Sequence, residues 1–495
     1  MAKQTTINSD KKSIWIKLKE FGWKKTFALF ILGAIDVLVI AAPYYIKNFV
    51  PNIQLYLGVE EKHISYMTSI VGAVTLVTQL PGGYLADKIS SKKLLFIGGI
   101  LTALMTIWYG SLVFINSNTK LEINQLLPQY YTIFAIYGLS STPFFWTPLW
   151  KLVSQQADKK DQGFAYGLQG SLNGLFGFIF VFLGGIAITA VAEKFPIKAM
   201  QTSSEVVSHI SATAFGSYII AFAVLLILAS FGVLFYVKEY ETHEKFALSP
   251  RKLFTALTEW KIWALAFFVM GMYMFQSVLA YYLFQMITNV TTISTIVISV
   301  IAGIRLYGMR FLVSTLIGKF SDKLKSLILF LLIMLVVGII TSIVIILLPG
   351  ISLSARTNLF DTMSDGYKLT ATILMVLLFL LTSVFAWIMV TLRFVIINEV
   401  VVPKKSSGAA IATLSFIGFS SDAWFYAIAG AVQNKYTITN ADNISYTSQT
   451  GYQIIAIMAI VTALVGLVAG IAVYISNYKF LSKYNIRYMR VRAEK

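Results

Sequence analysis

Apolar residues recur along this chain in runs of twenty or more, separated by short polar intervals. Twelve runs can be marked, at 26–50, 62–86, 93–116, 129–150, 164–192, 210–237, 262–288, 293–317, 326–349, 369–398, 407–433 and 451–477. A helix of about 20 apolar residues is long enough to cross a bilayer. Within lipid no water can satisfy the backbone, so a run of this length must be helical. The pattern predicts an all-α membrane protein with twelve transmembrane helices, numbered here as spans 1 to 12. The hydrophilic residues 1–25 precede a span too long for a signal-peptide core, so no cleaved signal is expected. The longest polar interval on its side, "KEYETHEKFALSPRKLFTALTEWK", covers 238–261 and divides the spans six and six. The predicted units are a basic segment 1–25, a six-helix bundle 26–237, a central loop 238–261, a second bundle 262–477 and a basic tail 478–495.

Composition agrees. Hydrophobic residues make up 57% of the 495 and charged residues 13%, where soluble chains carry about 25% charge. The formal charge of +18 would point to nucleic acid in a soluble protein. Here the distribution of the charge matters more than its sum. Of the 40 Lys and Arg, 29 fall in the intervals on the side of the two termini, 8 on the other side, Lys47 among them, and 3 within spans. Basic residues accumulate on the cytoplasmic face, so both termini are expected in the cytoplasm, in a plasma membrane, with no nucleic-acid partner. Residues 11–25, "KKSIWIKLKEFGWKK", alternate bases with Ile, Leu, Phe and Trp and read as a helix lying on anionic lipid. The absence of Cys excludes disulfides, thiolate metal sites and cysteine nucleophiles. No histidine lies deep in a run. No metal and no cofactor is expected.

Two charged stretches occupy the same place in the two halves. "GYLADKI" (Gly83 to Ile89) follows span 2, and "GKFSDKL" (Gly318 to Leu324) follows span 8. Likewise "DKKDQGFAYGL" leads into span 5 and "PKKSSGAAIAT" into span 11. The chain therefore reads as two six-helix pseudo-repeats, an arrangement found in secondary transporters. In each loop a Gly permits close approach, an Asp can accept from a helix N-terminus, and Lys residues hold the loop at the anionic leaflet. Gly83, Asp87 and Lys88, with Gly318, Asp322 and Lys323, are the expected gating motif. Arg393, near the cytoplasmic end of span 10, is expected to join the second copy, with Asp322 and Glu399.

These residues resemble a known family. "GGYLADKISSKKLL" is similar to the signature loop of the major facilitator superfamily, Gly-x-Leu-Ala-Asp-Arg-x-Gly-Arg-Lys. Gly83, Leu85, Ala86, Asp87 and Lys92 match, and Lys88 stands in for Arg. Ser90 and Ser91 stand where the motif has Gly and Arg. The resemblance implies a transporter whose halves rock about a central cavity lined in part by spans 1 and 11. Residues 144–177, from "FFWTPLW" to "GSLNGLFG", are similar to the span 4–5 region of bacterial carriers for organic anions and sugar phosphates.

Charges inside a bilayer cost several kcal/mol unless paired or hydrated, so each marks a functional candidate. Arg305 lies at the middle of span 8, and its fork fits a carboxylate or phosphate. Arg310 lies about 140° further around a regular helix, which predicts that the two do not share a narrow face. Asp36 in span 1 and Asp422 in span 11 are the candidates for proton coupling, since a carboxyl in a low-dielectric cavity can exchange a proton near neutrality. The structural alternative is a salt bridge between Asp36 and Arg305. Tyr273 and Gln276, three apart in span 7, share a face. Gln169 and Asn173 in span 5 are spaced alike. All four are candidate substrate contacts, although an interhelical hydrogen bond would explain each one singly.

The expected function is secondary active transport of a small polar, anionic metabolite, proton-coupled or by exchange, with the protein working as a monomer in the bilayer. No Gly-x-x-x-x-Gly-Lys-Ser/Thr sequence is present to suggest ATP drive. One alternative is an exporter of hydrophobic or cationic compounds. Another is a membrane-embedded transferase, which would need a His, Asp or Glu cluster at a membrane face.

Overall fold

The computed structural model describes residues 14–157, 162–195, 205–240, 258–291, 293–310, 312–313, 317, 324, 326–351, 358–393, 395–400, 407–439 and 445–483. Helices cover all twelve expected spans, with ends within a few residues of those read from the apolar runs. Eight are long and apolar enough to cross a bilayer: Trp23–Asn48, Ser91–Thr119, Leu168–Lys194, His209–Tyr236, Trp260–Val290, Leu327–Leu347, Asp365–Leu392 and Gln449–Phe480. The other four depart for local reasons. Span 2, Glu61–Lys88, carries Ser65, Thr68, Ser69, Thr75, Thr78 and Gln79 along its length. Span 4 begins as Ile123–Ser141, is interrupted at Pro143, and resumes as Thr147–Gln155 with Pro148 in its first turn. Span 8 is described from Thr295 to Arg310 and thereafter only in part. Span 11 breaks between Ser407–Gly418 and Ser421–Lys435.

Packing repeats along the chain as the sequence does. Span 3 packs on span 6, span 1 on span 5 and span 2 on span 4; span 9 packs on span 12 and span 7 on span 11. Spans 8 and 10 are joined through Trp387, whose indole N–H donates to the carbonyl of Arg305 at 2.8 Å. Each of these three pairings of the first six spans thus has a counterpart six spans on.

Hydrogen bonds between the first six and the second six spans gather at one end. There span 2 lies against span 11, and Gly72 makes the approach possible: a Cβ on it would collide with the backbone of Asp422 and Ala423. Ser69 donates to the Ala423 carbonyl, Ser65 to Gln433 at 2.6 Å, and Lys62 to Asn434 at 2.8 Å. Glu61, 4% exposed, accepts from Gln433, Tyr452 and both the N–H and hydroxyl of Thr447 at 2.8–2.9 Å. Thr447 is placed by a small antiparallel hairpin, β1 (Thr437–Thr439) with β2 (Ser445–Thr447), in which it pairs with Thr437. Spans 5 and 8 meet at the same end through Thr189 and Ser299, 3.1 Å apart. Beyond Gly72 the side chains of span 2 from Ala73 to Gln79 are half-buried or exposed.

The loop that carried the family resemblance has a definite anchor. Span 2 runs helical to Lys88, and Ser90 caps span 3 by accepting from the Lys93 N–H. Glu239, just after span 6, accepts from the Ser90 hydroxyl and from the N–H groups of Ser91 (2.7 Å) and Lys92 (3.2 Å). Gln155 and Gln156 at the end of span 4 hold the strand bearing Glu239, bonding to Tyr240 and Lys238. The second half solves the same problem from another span: Glu399, after span 10, accepts from Ser326, Leu327 and Ile328 at the start of span 9. The serine that departs from the family motif is therefore a helix cap. Gly83 and Asp87 lie in the last turns of the span 2 helix, and Lys88, its final residue, is exposed. Gly318, Asp322 and Lys323 lie outside the described residues.

Partial burial alone would raise the Glu239 carboxyl, but the three donors at the helix start outweigh it and hold the carboxyl below its ordinary value. A lowered carboxyl stabilises the fold above the unfolded-state value, about 4.3, and that contribution vanishes as pH falls through the folded value. Glu239→Gln is expected to lower the apparent melting temperature in detergent at pH 7, by about 1 kcal/mol equivalent. The difference from wild type should close as pH drops below about 4. Equal melting at pH 7 would show that the cap adds nothing.

Candidate functional site

Among the described residues five helices contain a widened π-helical turn: Ala41–Tyr45 in span 1, Thr142–Trp146 in span 4, Gly177–Phe182 in span 5, Phe275–Leu279 in span 7 and Ile304–Gly308 in span 8. Such turns absorb one extra residue and shift the face on which everything beyond them lies. In span 8 the consequence corrects the sequence reading. The Met309 N–H reaches back five residues to the Ile304 carbonyl, so Arg305 and Arg310 are separated by one wide turn instead of a turn and a half. Both guanidinium groups consequently meet span 10. Arg305 stands 5.2 Å from the Phe379 ring centroid, and Arg310 stands 5.4 Å from that of Trp387. The 140° separation holds only for a regular helix.

The arginines differ in setting. Arg305 is 3% exposed and lines a narrow crevice between spans 7, 8 and 10 with Phe275, Leu283, Thr382 and Ser383. Its Nε has no hydrogen-bond partner. Arg310 is half-buried and faces the middle of the bundle, where its charge is felt at Asp36, Tyr45 and Tyr307. Arg393 is half-buried as well; it donates to Gln276 Oε1 at 3.3 Å and lies 4.8 Å from the Phe419 ring centroid. Arg310 and Arg393 feel each other's charge. Arg393 thus meets spans 7 and 11, while Asp322, its expected gate partner, lies outside the described residues.

The carboxylates are held by neutral donors. Asp36, 4% exposed, accepts at Oδ2 from Gln169 (2.9 Å) and Asn173 (2.6 Å), while Oδ1 has no partner. The i,i+4 spacing in span 5 therefore aims both amides at one acid of span 1. Gly33, one turn earlier, lets the two helices approach, since a Cβ there would press on Leu172 and Asn173. Asp422, 7% exposed, accepts from the Tyr273 hydroxyl at 2.6 Å and from Ser277 at 2.9 Å. Tyr273 and Gln276 do share a face: the ring of Phe419 touches Tyr273 and the guanidinium bound to Gln276. Among the described residues no ion pair joins Asp36 or Asp422 to Arg305 or Arg310.

One member of the site was hidden in the sequence. Lys47, counted there among the outer-loop bases, is 7% exposed at the end of span 1. Its presence inside the run 26–50 was the available signal. The wide turn at Ala41–Tyr45 carries the helix on past Pro43 and folds Lys47 inward.

The Asp36 arrangement can be tested directly. Asn173→Leu removes the shorter of two donors to a buried carboxylate and is expected to cost about 1.5–3 kcal/mol of stability in detergent. Adding Asp36→Asn should recover much of that loss, because no charge is then left wanting a donor. A double mutant no more stable than Asn173→Leu would mean that the acid and the amide are not energetically coupled.

Comparison with known proteins bears on what this site belongs to. The uncharacterized MG294 homolog of Mycoplasma pneumoniae (strain ATCC 29342 / M129 / Subtype 1) is 40% identical over 475 residues, covering 94% of this chain and 95% of its own. Among solved structures, a bacterial homolog of the human lysosomal transporter Spinster, inward-facing and unoccupied, superposes with a TM-score of 0.58 at 12% identity, over 92% of this chain and 97% of its own. A mutant of the nucleoside transporter NupG superposes with a TM-score of 0.61 at 13% identity, over 91% of this chain and 100% of its own. At such identity these two speak for the fold alone. The sequence profile of the Major Facilitator Superfamily matches residues 26–426. With that match, twelve helical spans and charged side chains converging at mid-depth, this chain belongs to the Major Facilitator Superfamily of membrane transporters.

Proposed function

We propose that this transporter carries a small anionic metabolite, an organic anion or sugar phosphate, across the plasma membrane, working as a monomer with both termini in the cytoplasm. One observation carries the reading. The acids at membrane depth, Asp36 and Asp422, are occupied by amides and hydroxyls, so the positive charge of Arg305 and Arg310 is not cancelled by direct pairing. An unpaired cation in low dielectric is costly, and an anionic cargo relieves that cost while it is bound. Arg310, half-buried and central, is the principal contact in the middle of the bundle, with Arg393 and Gln276 opposite and Arg305 behind. An exporter of cationic compounds would need the reverse, free acids in the cavity.

Proton coupling is assigned to Asp36, with Asp422 as the second candidate. A proton can settle on Asp36 Oδ1, which has no partner, without disturbing the two amides on Oδ2. Asp422 meets hydroxyls, which can turn from donor to acceptor. In the orientation given by the basic residues, the joined end that carries Glu61 is external, and the conformation described faces inward. Gly83, Asp87 and Lys88, with Gly318, Asp322 and Lys323, act at the opposite end.

Two measurements test the reading. Purified protein screened by thermal shift against organic acids, sugar phosphates, nucleosides and amines should be stabilised by anions. Hits confined to amines or nucleosides would refute anionic cargo. In proteoliposomes, Arg310→Gln should reduce uptake of the best anion by about tenfold or more, as loss of a charge-assisted hydrogen bond implies. Asp36→Asn should leave exchange intact and abolish accumulation driven by a pH gradient; undiminished accumulation would remove Asp36 from coupling.

A further inference from the structure

Lys47 sits in the single 3₁₀ turn Ile46–Asn48 that ends span 1. Its ammonium has three N–H donors. One reaches Thr68 Oγ1 of span 2 at 2.7 Å. The other two point at aromatic faces, with the nitrogen 4.1 Å from the Tyr426 ring centroid and 4.7 Å from that of Tyr281. Among the described residues no carboxylate oxygen lies within 4 Å of it. A desolvated cation over a ring gains about 2 kcal/mol, which compensates for burial only while the rings stay in place.

The partners come from different halves. Lys47 and Thr68 belong to the first six spans, Tyr281 and Tyr426 to the second six. In alternating access the halves rock as bodies about the site between them. When the end carrying Glu61 opens, the rings withdraw with spans 7 and 11, Thr68 remains, and two ammonium donors turn to the vestibule. Tyr426 is also where the charge of Arg305 is felt, and the charge of Asp422 is felt at Lys47. Tyr426 thus touches the outer cation directly and is coupled by charge to the arginine behind the central site. The Tyr426 hydroxyl lies 3.5 Å from Ser277, which donates to Asp422.

We propose that Lys47 is the first contact for the anionic cargo when the Glu61 end is open. As that end closes, Tyr281 and Tyr426 take the anion's place around the ammonium and pass the cargo on toward Arg305 and Arg310. The idea rests on the anionic reading above and adds a residue, an order of contacts and a reason for the tyrosine pair. Lys47 is a specificity-determining residue in this scheme: it selects charge at the entrance, before the central site is reached.

The chain has no cysteine, so Lys47→Cys gives a single thiol. In oriented proteoliposomes, a membrane-impermeant trimethylammonium methanethiosulfonate should modify that introduced thiol from the face bearing Glu61 and not from the other. Uptake of glycerol 3-phosphate and inorganic phosphate from that face should fall by about tenfold in Lys47→Cys. The aminoethyl reagent, which rebuilds an ammonium, should restore uptake; the ethyl reagent, of similar bulk and no charge, should not. Lys47→Arg should retain uptake, which guards against a mere folding defect. Modification from the wrong face only, or equal restoration by both reagents, would overturn the proposal. Wild-type protein that moves neither probe would defeat the anionic reading beneath it, a failure visible without any variant.

Discussion

A charged group in a low-dielectric interior must find a partner, water or a cargo, and the centre of this molecule is organised around that demand. Asp36, Asp422 and Glu61 have been given neutral donors, and among the described residues no ion pair joins them to an arginine. Asp36 draws two amides from span 5, Asp422 two hydroxyls from span 7, and Glu61 four donors from spans 11 and 12 and the hairpin. The cations lean on aromatic faces instead: Lys47 on Tyr281 and Tyr426, Arg305 on Phe379, Arg310 on Trp387. Aromatic faces hold a cation without neutralising it, which leaves its field available to something that moves.

The membrane frame could be read from the apolar pattern because lipid imposes one rule on every residue of a span. Each of the twelve runs holds helix among the described residues. The loop after span 2 was legible through its likeness to the family motif, while its second copy lies outside the described residues. The fine structure of the first was not. Ser90 looked like a lapse from the family motif until Glu239, about 150 positions away in the chain, was seen to share the cap with it.

The site was legible in its members and less so in its geometry. Gln169 and Asn173 were correctly placed on one face, yet nothing local revealed that Asp36 faced them. Arg305 and Arg310 were separated by applying a regular 3.6-residue period to a helix that widens between them. Local sequence marks these wide turns poorly, because they are set by packing: Tyr307, within the span 8 turn, fits against Gly177, and Gly303 just before it against Phe182 of the wide turn in span 5. Lys47 was misplaced because a base near the end of an apolar run looks like a boundary, and only its aromatic neighbours from spans 7 and 11 show otherwise.

The unequal origin of the two caps has a mechanical corollary. Span 9 is pinned by Glu399, which follows span 10 of its own half and whose carbonyl accepts from Asn477 of span 12. Span 3 is pinned by Glu239, the first stretch of the connector between the halves. The connector is thus moored at its starting point to the loop between spans 2 and 3, and cannot slacken there independently. A tilt of span 3 is therefore carried directly to the start of the tether.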